Sequence, residues 1–185
     1  MLKNAMPITV TKCPIEGLFE IQPKVFGDSR GAFFESWNAR DFAEAGLTMK
    51  FVQDNQSRSV KGVLRGLHFQ KTQPQGKLVR VVQGEVFDVA VDLRPGSKTY
   101  GAWHAVTLSG EKNNMFYIPE GFAHGFLVLS DTCVFTYKCT DFYNPADEGG
   151  LLWSDPSVAI DWPDLGMEYI LSEKDTKNPL LEKNR

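Results

Sequence analysis

Along most of this chain, hydrophobic and polar positions alternate in short runs cut by Gly, Pro, Asn and Asp. That is the pattern of half-buried strands joined by tight turns. The run 85–93 is the clearest. Phe87, Val89, Val91 and Leu93 make a wholly apolar face, while Val86, Asp88, Ala90 and Asp92 make a mixed one, as on a sheet with one side against a core. Further strands are predicted over 8–11, 18–21, 78–82, 102–108, 115–118, 125–129 and 134–141. Residues 62–70 read as another, on which simple alternation puts Leu64, Gly66 and His68 on one face and Arg65, Leu67 and Phe69 on the other. A glycine inside such a strand, here Gly66, marks a bulge or a close approach by backbone or ligand. Helical signals are few: Asn38 is placed as an N-cap for 39–45, with Gly46 as the stop. After Trp153 the chain turns rich in Asp, Pro and Ser and predicts irregular structure with one short helix.

Many short strands and little helix predict a mostly β protein, an antiparallel sandwich or barrel; a jelly roll fits the spacing, but periodicity does not separate it from other antiparallel sandwiches. At 185 residues the chain is expected to be a single domain over 1–185. Its 13 Phe and 4 Trp exclude a disordered chain, which lacks the aromatics to form a core. A formal charge of -3 without basic blocks excludes a general nucleic-acid binder, yet leaves room for a phosphorylated small molecule held by two or three cations. The opening MLKNAMPITV has no apolar run of signal-peptide length, and no stretch is long enough to cross a membrane, so the cytoplasm is the expected compartment. Cys133 and Cys139, six residues apart on one predicted strand, would lie roughly 20 Å apart, too far for a disulfide. With Cys13 they are expected to be reduced packing residues.

Chemistry-bearing residues concentrate in three segments: 62–70 with Arg65 and His68, 118–126 with His124 at the exit of a turn, and 135–148 with Tyr137, Tyr143 and Glu148. Taken alone, His68 also fits a structural histidine and Tyr137 a core tyrosine bonded at its rim. A metal is disfavoured, because the chain has only His68, His104 and His124, and Gln70 stands where a His-x-His pair would be completed. Phosphate-cradling glycine loops and a Gly-x-Ser-x-Gly elbow are absent, which leaves nucleotide hydrolysis and acyl transfer without support.

The motifs DSRGAFFE (28–35), FVQDN (51–55), VLRGLHFQ (63–70), GKLVR (76–80), GEVFDVAVD (84–92), PEGFAHGF (119–126) and LSEKD (171–175) together resemble the dTDP-4-dehydrorhamnose 3,5-epimerase family, in the family's order. The resemblance implies a cupin-like jelly roll with one or two short helices, a homodimer, and no metal or nucleotide cofactor. It implies inversion of C3 and C5 of a dTDP-linked 4-keto-6-deoxyhexose on the route to dTDP-L-rhamnose. Matched position by position, it makes His68 the base, Tyr137 the general acid, Asp175 the carboxylate behind the base and Lys77 a cation near the ketone oxygen. It puts Arg30, Glu35, Gln53, Asp54, Asn55, Arg65, His124, Glu148 and Lys174 at ligand-contacting positions, and Tyr143 at the aromatic that stacks on thymine. Relatives that invert only C5 or only C3, a ketoisomerase on a similar sugar nucleotide, and a non-catalytic binding jelly roll are the alternatives.

Overall fold

The computed structural model describes residues 7–182. The first six and last three positions of the expected domain, and with them most of the MLKNAMPITV opening, lie outside the described residues. The elements are β1 (Ile8–Lys12), β2 (Phe19–Pro23), β3 (Phe26–Asp28), β4 (Gly31–Phe33), α1 (Ala39–Glu44), β5 (Gln53–Val60), β6 (Leu64–Gln70), β7 (Lys77–Gln83), β8 (Glu85–Asp92), β9 (Trp103–Ser109), β10 (Met115–Ile118), β11 (Phe122–Val128), β12 (Thr132–Cys139) and β13 (Glu148–Gly150), with 3₁₀ turns at Pro145–Asp147 and Asp175–Lys177. They build two antiparallel sheets, one ordered β1-β2-β10-β7-β12-β5 and the other β13-β6-β11-β8-β9, while β3 and β4 form a separate hairpin. This is the expected mostly β sandwich with one short helix.

The core between the sheets is apolar on both sides. Val79, Val81, Phe116, Ile118, Cys133 and Phe135 from the six-stranded sheet meet Val86, Ala90, Val106, Leu108, Phe126 and Val128 from the five-stranded one. Burial of this kind contributes about 25 cal/mol per Å² of apolar surface and is the main force holding the sheets together. Each sheet is also covered on its outer face. Helix α1 presents Phe42 to Trp37 and Leu47 against Ile21, Leu78, Met115 and Tyr117. Its first turn is capped by the Asn38 side chain, which accepts from the N–H groups of Arg40 and Asp41, and Gly46 follows at φ +85 where left-handed backbone is needed to end it. The outer face of the five-stranded sheet lies under the tail: Leu67, Val89, Val91 and Ala123 pack against Leu151 and Val158, with Phe87 edge-on to Trp162.

Two expectations are corrected here. The wholly apolar face of β8 is the outer one, buried by the tail; the mixed face, with Asp88, is the one that looks into the sandwich. Strand β6 does not alternate simply either. Its register against β11 shifts between the pairs Arg65↔Phe126 and His68↔His124, so three steps on β6 match two on β11. That bulge places Arg65 and His68 on the same side while Leu67 packs outward. Gly66 sits in it at φ +115, and a Cβ there would lie 2.7 Å from both the Gly125 Cα and the His124 carbonyl oxygen. The three cysteines are free thiols. Among the described residues, no helix is long and apolar enough to cross a membrane.

Candidate active site

Between the sheets lies a cavity of about 300 Å³ whose walls come from both. From the five-stranded sheet, β6 contributes Arg65 and His68, β11 contributes His124, and β13 contributes Glu148; from the six-stranded sheet, β7 contributes Lys77 and β12 contributes Tyr137. Stacked Phe126 and Phe135, their centroids 4.2 Å apart, join the two sheets in the wall of the cavity. Imidazole and phenol thus approach from opposite sheets.

His68 is backed by the tail. Its Nε2 lies 2.6 Å from Oδ1 of Asp175, a residue 107 positions further along. The other oxygen, Oδ2, accepts from the Gly66 N–H, and the 3₁₀ turn around Asp175 is tied back by the Asp175 N–H donating to Ser172 Oγ. Burial alone would raise the Asp175 carboxyl, but hydrogen bonds and the charge of His68 outweigh it and hold the group below the ordinary carboxylate value. The tail is fixed nearby by Ile170, which exchanges backbone hydrogen bonds with Gly62 and Leu64.

A second imidazole–carboxylate pair stands beside the first. His124, paired in register with His68, places Nε2 3.0 Å from both oxygens of Asp88, which has no exposed surface. Lys77, 8% exposed, completes this buried group of charges. Desolvation drives the Lys77 ammonium below its ordinary value, against the pull of Cys139, Asp88 and Glu148. Desolvation likewise raises the Asp88 carboxyl, against the pull of His124 and Lys77. The Tyr137 hydroxyl is raised chiefly by burial, which keeps it protonated at neutral pH. At the mouth, the Tyr143 hydroxyl donates to Glu148 Oε2 at 3.0 Å, and Lys174 forms an ion pair with the same carboxylate. Burial works to raise Glu148, and these contacts, led by Lys174, bring it below its usual value.

Of the residues singled out from sequence, His68, Asp175, Lys77, Tyr137, Arg65, His124, Tyr143, Glu148 and Lys174 are thus brought to this cavity or its rim. Gln53 and Asn55 join them at one remove: Gln53 Nε2 donates to Asn55 Oδ1 at 3.0 Å, and Gln53 Oε1 accepts from the Tyr143 N–H at 2.9 Å. Asp54 does not join them. It alternates with Gln53 and Asn55 on β5, points to the other face of the sheet, and accepts from Lys138 Nζ at 2.9 Å. Arg30 and Glu35 are also outside the cavity; Arg30 folds back on Asp28 at the tip of the exposed β3–β4 hairpin. Sequence reading missed Asp88, Ser57 and Gln75 as site neighbours. The signal for Asp88 was a carboxylate in the middle of a strand whose other charges, Glu85 and Asp92, stand at its ends. Among the described residues, no group of three His, Cys, Asp or Glu side chains is placed to hold a metal ion.

Acid–base chemistry is what such a cavity supports, and on this antiparallel sandwich it defines the class: a small all-β enzyme that moves protons with its own side chains. The chain belongs to the dTDP-4-dehydrorhamnose 3,5-epimerase family, whose model matches residues 12–183. The dTDP-4-dehydrorhamnose 3,5-epimerase of Methanothermobacter thermautotrophicus is 56% identical over 92% of this chain and 94% of its own. That of Salmonella typhimurium is 52% identical over 94% and 95% respectively. A crystal structure of dTDP-6-deoxy-D-glucose-3,5-epimerase from Legionella pneumophila in complex with dTDP-4-keto-L-rhamnose superposes with a TM-score of 0.90 at 55% identity, covering 94% of this chain and 92% of that one. The activity of the chain is accordingly 3,5-epimerisation in dTDP-rhamnose biosynthesis.

Proposed function

We propose that His68 removes the protons flanking the C4 ketone of a dTDP-linked 4-keto-6-deoxyhexose and that Tyr137 returns a proton from the opposite face. One observation carries this reading: the two side chains line a single cavity from facing sheets. Inversion needs a proton to leave on one side of the ring and another to arrive on the other, which a single group does not do without turning the sugar. Imidazole accepts a proton near neutral pH, and a phenol can donate one to a carbanion. Asp175 fixes the tautomer of His68 and stabilises the imidazolium. After each inversion the base holds an extra proton and the acid lacks one, and solvent exchange resets both.

General acid–base catalysis contributes about 10²–10⁴-fold, too little for a carbon acid. Lys77, buried in the wall of the same cavity, supplies positive charge where the enolate oxygen develops, where one preorganised donor is worth about 2.7–4 kcal/mol. Arg65 at the rim holds the diphosphate through charge-assisted bonds, and Tyr143 stacks on the thymine. Gln53, Asn55, His124, Glu148 and Lys174 contact or position the ligand. The scheme involves no net oxidation and calls on no metal or nucleotide cofactor.

The whole chain acts as one domain, with the segment after Trp153 completing the site, and it works as a homodimer in the cytoplasm. Support for the dimer comes from the β3–β4 hairpin, where Phe26 and Phe33 are 55% and 69% exposed although both are large and apolar. Arg30 and Glu35, away from their own chain's cavity, meet ligand in the second copy.

The test is incubation with dTDP-4-keto-6-deoxyglucose in D₂O. His68→Ala should abolish both product and deuterium uptake at C3 and C5, and undiminished uptake would remove it as the base. Tyr137→Phe should slow inversion more than exchange; equal loss of both would remove Tyr137 as a dedicated donor. The product should carry both inversions by NMR, and a single inverted centre would overturn the double reaction.

A further inference from the structure

Tyr143 is 52% exposed and sits in a connection, between β12 and the Pro145–Asp147 turn, where an aromatic ring would ordinarily be loosely held. Its backbone surroundings are otherwise. Gln70, 6% exposed and two residues beyond His68 on β6, sends its side chain into this loop. Its Oε1 accepts from the Asn144 N–H at 2.8 Å, and its Nε2 donates to the Phe142 carbonyl at 3.2 Å and to the Gln73 carbonyl at 2.6 Å. One amide therefore grips the backbone on both sides of Tyr143, and both of its donor hydrogens are used. Two more glutamines hold the same stretch: Gln53 accepts from the Tyr143 N–H at 2.9 Å, and Gln75 donates to the Asp141 carbonyl at 2.8 Å. Three buried or half-buried amides thus fix four consecutive residues of an exposed loop from behind, while the Tyr143 side chain, tethered only through its hydroxyl to Glu148, keeps its ring face exposed in front.

We propose that Gln70 is a positioning residue that presents Tyr143 as a preformed platform for the nucleobase. The inference rests on the reading of Tyr143 as the thymine-stacking residue. A ring already ordered before the ligand arrives loses less freedom on binding, so the amide, although it also lines the cavity, raises affinity through the loop it holds. Because the sugar reacts elsewhere in the cavity, Gln70 acts on KM and on nucleotide affinity rather than on the chemical step.

Gln70→Leu, Tyr143→Ala and the double variant should be compared with the full-length enzyme by KM and kcat for the dTDP-keto-sugar, and by calorimetric Kd for dTDP. Gln70→Leu is expected to raise KM and the dTDP Kd about tenfold while kcat falls no more than about twofold, the pattern of lost uniform binding. In the double variant the Gln70 effect should largely vanish, because an amide has nothing to position once the ring is gone. Should Gln70→Leu not fold, Gln70→Glu keeps the acceptor for Asn144 but loses both donations, and the same split is expected from it. Losses that multiply in the double variant, or a lowered Tm or kcat with KM intact, would overturn the positioning role. A Tyr143→Ala enzyme with unchanged KM and Kd would instead sink the nucleobase reading on which it rests.

Discussion

At the scale of single residues, the burial of Lys77 has the sharpest consequence. A depressed ammonium value means that Lys77 gives up its proton at lower pH than an ordinary lysine. In the proposed role, the positive charge that Lys77 offers to the enolate oxygen is lost as pH rises through that lowered value. Activity should therefore show an alkaline limb below the usual lysine range, measured as kcat against pH. Lys77→Met should remove the limb and lower kcat by about 10²–10³-fold, the worth of one oxyanion donor; a Met variant with the parent's profile would exclude Lys77 from that role. Much at this scale was legible in the sequence, since His68, Lys77 and Asp175 stand in motifs that carry the resemblance, and Tyr137 follows from matching the rest of the chain to it. Asp88 was harder to see. Its partner is 36 positions away on a neighbouring strand, and only the pairing of β8 with β11 turns a strand carboxylate into half of a buried dyad.

At the scale of elements, the bulge in β6 decides what the site contains. Without it, Arg65 and His68 would face opposite ways, and a cavity lined by β6 would hold one or the other. Gly66→Ala should be costly: the new Cβ meets backbone rather than flexible side chain at 2.7 Å, and the φ of +115 is unfavourable for any L side chain. A loss of about 2–4 kcal/mol is expected, read as a fall in denaturation midpoint together with activity. A variant as stable and active as the parent would mean that the strand can dispense with its bulge. Most strands were readable from alternation, Met115–Ile118 to the residue. Strand β5 was not, because its sequence QDNQSRSV has no apolar face in either phase, and only its register with β12 makes it a strand. The faces of β8 were read in reverse for a related reason: alternation reports that two faces differ, while the layer that covers each is chosen by a distant part of the chain.

At the scale of the whole molecule, the position of the β3–β4 hairpin bears on assembly. If Arg30 serves the second copy, a His68→Asn protomer and an Arg30→Ala protomer each lack something the other has. Mixing the two after dissociation should restore part of the activity, since a heterodimer assembles one cavity with both groups intact. No recovery, with dimers confirmed by sedimentation, would confine each cavity to its own chain. The sequence held no sign of this arrangement beyond the resemblance, because distance between a hairpin tip and a cavity is a property of the packed sheets. It also held no path for the tail that brings Asp175 back to His68.

That path has a temporal side. The strands that make the two sheets are complete by Gly150, whereas Asp175, the carboxylate bonded to His68, is translated some two dozen residues later. A nascent chain can therefore close its sandwich around a histidine that still has no partner. On the role proposed for Asp175, proton abstraction would begin only once the segment around it has joined the tail residues that cover the outer sheet face, making catalytic competence the last property the chain acquires.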